Sequence, residues 1–293
     1  MEKQAFKLFR QTKRACFMVC SFKRLFKKPK AFLRITGITV KEFEIILKRA
    51  EPIWAKEVEG IKIVSGRPYG LKTLENHMLC LLIYYRTYMT QEFLGFLFGV
   101  DNSCISRSMP RVAKVLAPVL KIQKNRHIKE QEAKDIIIDC TEHPIEKPKK
   151  GQKKYYSGKK KRHTLKTEIQ ITGEGEIIHV SNPHPGREHD MKVRQQGPPL
   201  HPNATAYVDS GYQGLHQDHD TVEYPYKKSK NKPLTFEEKL YNQCLSRFRV
   251  KVEHKIRELK TFRILKEQYR NHLKGFGIAV NIVAGIVNLK NGF

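Results

Sequence analysis

The chain is short of acidic residues, has no closely spaced cysteine pair, and contains no apolar run long enough to cross a bilayer. Against 56 Lys and Arg stand only 29 Asp and Glu, leaving a net charge of +27. Such an excess repels itself in a free monomer, so it points to a polyanionic partner, either nucleic acid or an anionic membrane face. Uninterrupted apolar stretches such as residues 78–85 fall well short of the ~20 residues that span a bilayer. The expectation is therefore nucleic acid and no membrane. The six cysteines, at 16, 20, 80, 104, 140 and 244, show no Cys-x-x-Cys spacing. That argues against a zinc ribbon or a disulfide framework, and for a reducing cytoplasm as the setting. The opening stretch, residues 1–34, carries eleven Lys and Arg and one acid. It lacks a compact apolar centre and a small-residue cleavage site, so it does not read as a secretory signal. It reads instead as a basic arm that touches DNA phosphates, or as a lead-in without a role.

Length and an apolar fraction of 40% suit one large folded domain or two modest ones. Residues 1–66 hold the basic arm and a helical lead-in, with Thr39 a candidate N-cap ahead of Val40, Phe43, Ile46 and Leu47. Gly66, Pro68 and Gly70 interrupt the pattern, and residues 67–122 read as three helices. The first covers about 73–86. The second opens at Thr90, carries Phe93, Leu94, Leu97 and Phe98 on one face, and stops at Gly99. The third opens at Asp101 and continues through Ile105, Met109, Val112 and Val115. A short helix, a tight turn and a helix with a polar first turn make a helix-turn-helix pattern. On that reading Asn102, Ser103, Ser106 and Arg107 face the major groove; the alternative is a purely structural or dimerising bundle.

After a polar connector at residues 123–134 the pattern changes. Three isoleucines, 136–138, read as a buried strand ending in Asp139. Residues 166–172 and 176–181 read as strands joined by Gly173, Glu174 and Gly175, a hairpin signal. Short strands are expected at 205–208 and 222–226, and helices at 190–195, 235–265 and 276–289. The last of these, although apolar, is expected to pack against the core. Residues 135–293 thus form a mixed α/β domain behind an all-helical one.

Phosphodiester chemistry on DNA needs charge neutralised on both the attacking and the leaving oxygen. Two divalent ions about 3.5–4 Å apart do this, held by carboxylates because hard cations prefer oxygen. An Asp at the end of a buried strand suits the task, and two places have that form: Asp139 after 136–138, and Asp209 after Ala206, Tyr207 and Val208. A third acid, Glu253, shares one helical stripe with Arg249 and Lys260, at i, i+4 and i+11. Taken alone, that stripe equally describes an exposed salt-bridge ladder. Glu142 and Asp190 are candidates for accessory roles, Asp190 also for capping the helix that follows it. Glu237 and Glu238 are alternatives to Glu253. The histidines between 179 and 219 are irregularly spaced and have no cysteine partners, which disfavours zinc.

Asp139-x-Thr141-Glu142 with Pro144 and a basic run behind it, then Asp209-x-Gly211-Tyr212-x-Gly214, then Arg249-x3-Glu253-x6-Lys260, resembles the DDE transposases of bacterial insertion sequences. Within them it is most similar to the branch related to the Harbinger nucleases. The separations of 70 and 44 residues between the acids fit, as do residues 156–163 and 185–190. Ser246 stands where relatives often have Tyr. The resemblance covers roughly residues 71–288. It implies an RNase H-like nuclease domain behind a helix-turn-helix, with Asp139, Asp209 and Glu253 as catalytic residues that bind Mg²⁺ (Mn²⁺ as substitute), two ions in all.

Residues 147–166 hold ten Lys and Arg, no acid, and Tyr155 and Tyr156 at their centre. Lying between the first catalytic strand and the next, the run is expected to track DNA phosphates, with Lys159, Lys160, Lys161 and Arg162 in contact and the tyrosines free to stack on an unpaired base. Arg249 and Lys260 are expected to hold the strand or stabilise the charged transition state. The implied reaction cuts the end of a mobile element and joins the freed 3′-hydroxyl to target DNA. Double-stranded DNA is then the partner, and two ends cut together imply a homodimer or higher assembly. The setting is the bacterial cytoplasm and nucleoid, or the nucleus for a eukaryotic source. The rival readings are a non-catalytic, domesticated or decayed DNA-binding protein and an endonuclease without strand transfer.

Overall fold

The computed structural model describes residues 19–61, 69–122, 134–229 and 233–293, and the chain divides into two compact units, Met1–Val119 and Leu120–Phe293. The connector expected at 123–134 lies outside the described residues except for Lys134, as do residues 1–18 of the basic arm and the break at 66–68.

The first unit is helical: α1 (Phe22–Leu25), α2 (Pro29–Thr36), α3 (Val40–Trp54), α4 (Leu74–Thr87), α5 (Gln91–Phe98) and α6 (Asn102–Val119). Thr39 caps α3 as expected. Its hydroxyl accepts from the Glu42 amide while the Glu42 carboxylate accepts from the Thr39 amide, so two otherwise unpaired N–H groups are satisfied. The helix then continues as a single π-helical segment, Ala55–Glu59. Apart from its ends α4 is buried nearly all round, which explains its weak amphipathic pattern. From Phe22 onward the basic lead-in is no loose arm. Phe22 stacks on Phe43 with centroids 4.9 Å apart, and Phe32 meets Phe43 edge-on at 5.5 Å. The aromatics between the lysines bury a face, and the helices of the lead-in form one unit with the helix-turn-helix.

The second unit is built on a mixed sheet. Its strands are β1 (Asp135–Pro144), β2 (Tyr156–Ser157), β3 (Arg162–Thr172), β4 (Ile177–Val180), β5 (His184–Pro185), β6 (Thr205–Tyr207) and β7 (Val222–Glu223). The order is β2-β3-β1-β6-β7, with β4 and β5 also pairing β3. β1 runs antiparallel to β3 and parallel to β6. Two helices precede β6: α7 (Gln152–Tyr155) and α8 (Asp190–Gln195). Three follow β7: α9 (Phe236–Lys260), α10 (Arg263–Lys266) and α11 (Phe276–Lys290). The first strand extends past the expected 135–139, because its partner β3 begins at Arg162 and continues the ladder to Pro144.

Side-chain alternation divides the sheet into two faces. Ile136, Ile138, Ala206 and Val208 enter a core with Tyr212 and Leu215 on the side of Met191 in α8. The other face meets the long helices: His143 packs on Phe276 at 5.0 Å and Tyr207 on Phe248 at 4.4 Å. α11 is long and apolar enough by composition to cross a membrane, yet it lies buried against β4 and α9. Its Asn288 amide exchanges two hydrogen bonds with the backbone of Ile177. α9 is held at two places. Near its start, Asn242 bonds the amide and carbonyl of Tyr226. Further on, the Lys251 amine donates to the Gly173 carbonyl at 2.7 Å, and the Lys255 stem lies against Gly175.

One ion pair lies deep in this unit. Arg194 of α8 donates to Glu168 of β3 at 2.6 Å, both side chains being almost fully buried. Removing one partner strands a charge in a low-dielectric interior, at a cost of about 3–5 kcal/mol, whereas an apolar replacement of both is far less costly. Arg194→Met is expected to destabilise the chain by about that amount, and Arg194→Met with Glu168→Leu by much less. Urea unfolding of the three proteins checks this; equal losses for the single and the double variant would refute the account.

Candidate active site

The parallel pairing of β1 with β6 sets the site. Asp135, Ile136 and Ile137 lie opposite Thr205, Ala206 and Tyr207. Carried two residues further, the same register brings Asp139 opposite Asp209, on strands about 4.8 Å apart. There β6 ends and the chain turns, so Asp209 leaves the sheet beside Asp139, which stays within β1 and paired to β3. Asp209 caps that turn: its Oδ1 accepts from the Gly211 amide at 2.7 Å. Tyr212 completes it, its ring buried and its hydroxyl donating to the Cys140 Sγ at 3.2 Å. The second acidic motif is thereby tied to the first.

A third carboxylate approaches, and it is Asp190. The segment ahead of α8 is fixed on β3: Gly186 donates its amide to the Thr164 carbonyl, and His184 pairs with Glu188 at 3.1 Å. Lys166 of β3 then bridges the Glu188 carbonyl and Asp190 Oδ1, both at 2.6 Å. The cap of α8 is His189, so Asp190 does not fill the capping role considered for it. Its Oδ2 faces Asp209 across Gly211. A side chain begun at Gly211 would meet Asp209 Oδ1 at 2.9 Å and Asp190 Oδ2 at 3.1 Å. A Cβ there would push both carboxylate ends aside.

The charges agree with this placement. Burial pushes the Asp139 carboxyl up to about 6; Arg249 opposes the shift, while Asp209 and Asp190 add to it. Burial lowers the Lys260 amine, as does Lys160, while Asp139 and Glu142 pull it back. Arg249 and Lys260 therefore both act on Asp139 from α9. The Arg249 Nε is buried with no hydrogen-bond partner. Glu142 turns aside to accept from the Thr164 hydroxyl at 2.8 Å.

Glu253 stands differently. Val252 is fully buried, and the next residue points roughly 100° further round the helix, so Glu253 lies exposed on the flank of α9. Among the described residues no group of three or more His, Cys, Asp or Glu converges closely enough to hold a metal ion. The donor set of Asp139 and Asp209 fits a hard divalent cation: neighbouring carboxylates, that of Asp139 raised chiefly by burial and further by Asp209, beside a buried guanidinium nitrogen with no hydrogen-bond partner. The third place in such a shell is not assembled around them. Glu237 and Glu238 lie in the first turn of α9, where Glu238 forms a capping box with Thr235.

The remaining candidates sit on surfaces. Asn102, Ser103, Ser106 and Arg107 are exposed on the first turns of α6, behind a turn in which Gly99 takes a left-handed φ of 64°. The Asp101 carboxylate accepts from the Ser103 amide, and the Arg107 guanidinium bonds the Ser103 carbonyl and hydroxyl. Lys159, Lys160, Lys161 and Arg162 are exposed on the β2–β3 turn. Sequence reasoning underweighted Asp190; the signal was the Gly186 to Asp190 segment directly before a helix.

Residues 138–291 match the family described as DDE superfamily endonuclease, and residues 69–122 match the helix-turn-helix of DDE superfamily endonuclease. The chain is 35% identical over 262 residues to a protein of Microchaete diplosiphon named "Probable transposase for insertion sequence element IS702", covering 88% of this chain and 93% of that one. It is 25% identical over 270 residues to a protein of Streptomyces albus G whose name assigns it to transposition of insertion sequence element IS112, covering 84% and 97%. No solved structure matches. The chain belongs to the DDE superfamily endonucleases, with a helical helix-turn-helix region ahead of a mixed α/β nuclease domain. A place in the Harbinger-related branch is a finer assignment, which these names do not address.

Two outcomes are expected. Because Asp139 is held at about 6, the folded chain keeps a proton that the unfolded chain releases near pH 4, so this carboxyl's contribution to stability falls as pH rises between about 4 and 6. Asp139→Asn should then stabilise the fold at pH 7 by about 1–3 kcal/mol and hardly at all at pH 4. Urea titrations at both values test it, and a gain independent of pH would sink the account. Gly211→Ala should leave the fold intact while splaying Asp209 from Asp190. Divalent-ion affinity measured by calorimetry should drop at least tenfold, and an unchanged affinity would show that the close approach is idle.

Proposed function

We propose that this protein is an insertion-sequence transposase that binds the ends of its element, cleaves the phosphodiester backbone there and joins the 3′-hydroxyl to target DNA. The observation that carries the reading is the nearness of Asp209, just past the end of β6, to the buried Asp139 carboxyl of β1 in a DDE-family chain whose relatives are named transposases. Asp139, Asp209 and Glu253 would hold divalent metal, Mg²⁺ or Mn²⁺ and two ions at full occupancy, which supplies charge neutralisation at the attacking and leaving oxygens.

The chain's own residues do the rest. The first turns of α6 offer Asn102, Ser103, Ser106 and Arg107 to base edges, and Lys159, Lys160, Lys161 and Arg162 offer charge to phosphates. Arg249 and Lys260, which both act on Asp139, stabilise the extra negative charge as the phosphorus gains a fifth oxygen. In the first step a water oxygen bonds to phosphorus, the bond to the 3′ oxygen breaks, and that oxygen leaves as a hydroxyl. In the second, the hydroxyl attacks a phosphodiester of target DNA, one ester replacing another with no energy cofactor. Two ends cut in concert call for a homodimer or higher assembly on DNA, acting where the cell's DNA lies. A DNA-binding protein without cleavage is the second reading, and the exposed position of Glu253 favours it.

Purified protein with Mg²⁺ or Mn²⁺ is expected to cut cognate end DNA. Asp139→Asn, Asp209→Asn and Glu253→Gln should each lower the cleavage rate by at least about a hundredfold while end binding persists. Gel assays of cleavage and binding decide it: near wild-type cutting by any one variant removes that acid from the centre, and no cutting by the parent protein favours the second reading.

A further inference from the structure

The basic tract contains a built feature that phosphate contact alone does not require. Tyr155 and Tyr156 are adjacent yet differently used. The Lys154 ammonium lies 5.1 Å from the centre of the Tyr155 ring. Tyr156, in β2, is 43% exposed and pairs across the ladder with His163, ring centroids 5.6 Å apart and nearly perpendicular. Around this pair lies an open groove of about 720 Å³ lined by Gln152, Lys153, Tyr156, Gly158, His163 and Arg187. No acid lines it. Gly158 has nothing within 4 Å of where a side chain would start, so the groove floor stays clear. Arg187 is held beside α7 by its amide, which donates to the Lys154 carbonyl at 3.2 Å.

We propose that this groove takes one unpaired nucleotide of the bound DNA, its base stacked on Tyr156 and its phosphate held by Lys153 and Arg187. The inference rests on the DNA-processing reading and adds a ligand state to it. Duplex DNA offers only phosphates and base edges, for which lysines suffice, whereas an exposed aromatic ring gains by stacking only on a base whose face is bare. The volume falls within the roughly 300–1,000 Å³ of sites for single small molecules. The Gln152 amide adds a donor and an acceptor for a base edge.

Position adds a register. His163 shares its face of β3 with Ile169, the partner of Asp139. Six residues of strand make roughly 20 Å, or about six base steps at 3.4 Å each. With the DNA strand following β3, which is part of the proposal, the unpaired nucleotide lies about six positions from the cleaved bond, on the same face of the sheet as Asp139.

The test uses the full chain and end DNA in Ca²⁺, carrying a single 5-iododeoxyuridine at each of the twelve terminal positions in turn. Irradiation should crosslink one position, near the sixth, to the peptide that contains Tyr156. In parallel, Tyr156→Ala should lower affinity for DNA with an unpaired base at that position about tenfold, and affinity for the fully paired duplex less than twofold, with Tyr156→Phe matching the parent on both. Equal losses on both DNAs, or crosslinks spread evenly along the tract, would overturn the proposal, and circular dichroism of the Ala variant shows whether it folds. If cleavage occurs but the pairing selectivity is absent, this inference alone fails. If the selectivity is present but no DNA is cut, the transposase reading fails and the groove stands.

Discussion

Everything chemical in the second unit depends on one pairing, the short parallel contact of β1 with β6. A parallel ladder has a fixed register, and only three residue pairs of it are needed here. Because both strands run the same way, residues at equal offsets lie side by side. Two acids 70 residues apart in sequence thereby become neighbours without any direct bond between them. Like charges resist that arrangement, and the fold meets the resistance with structure. Tyr212 locks the Asp209 turn to Cys140, the buried isoleucines hold β1 straight, and Arg249 lends a counter-charge from α9. Burial first, and the acidic neighbours after it, leave a carboxyl that keeps its proton to about pH 6.

A second delivery line converges on the same spot. The turn of residues 184–189 is fastened to β3 by hydrogen bonds at Thr164 and Lys166 and closed on itself by the His184–Glu188 pair. Its product is Asp190, whose charge is half satisfied by Lys166 and half turned toward Asp209. One carboxylate thus comes from within β1, one from just past β6 and one from a helix start, with Gly211 between the last two. The basic residues occupy the periphery, on the β2–β3 turn and along α9, as expected for a centre that must admit a polyanion between cationic walls.

Much of this was legible in the sequence, for identifiable reasons. Short apolar runs that stop at an acid stand out locally, so Asp139 and Asp209 could be named from pattern alone, although only β6 ends there. Capping residues such as Thr39 and Thr90 marked helix starts, because their chemistry is set by the next three residues. The length of β1 was not legible, since Cys140 to Pro144 become strand only through pairing with β3. The helices of the lead-in were obscured by charge: lysines dominate the composition, while the buried Phe22–Phe32–Phe43 cluster decides the structure. Asp190 was underweighted because no local pattern announces that a loop will be folded back onto a strand. Glu253 shows the converse. A helical stripe gives the face of a side chain but not whether its neighbours reach it.

The two anchor points of α9 bear on how that last acid could arrive. Lys251 and Lys255 grip the β3–β4 hairpin on either side of Glu253, and Asn242 fastens the helix near its start. Sliding or rolling such a helix would break several contacts at once, a motion of the microsecond-to-millisecond class. Swinging one glutamate about its own bonds breaks none, and takes picoseconds to nanoseconds. These anchors make a turn of the Glu253 side chain the least costly rearrangement at this site, with timing set by local torsions rather than by the movement of a whole helix.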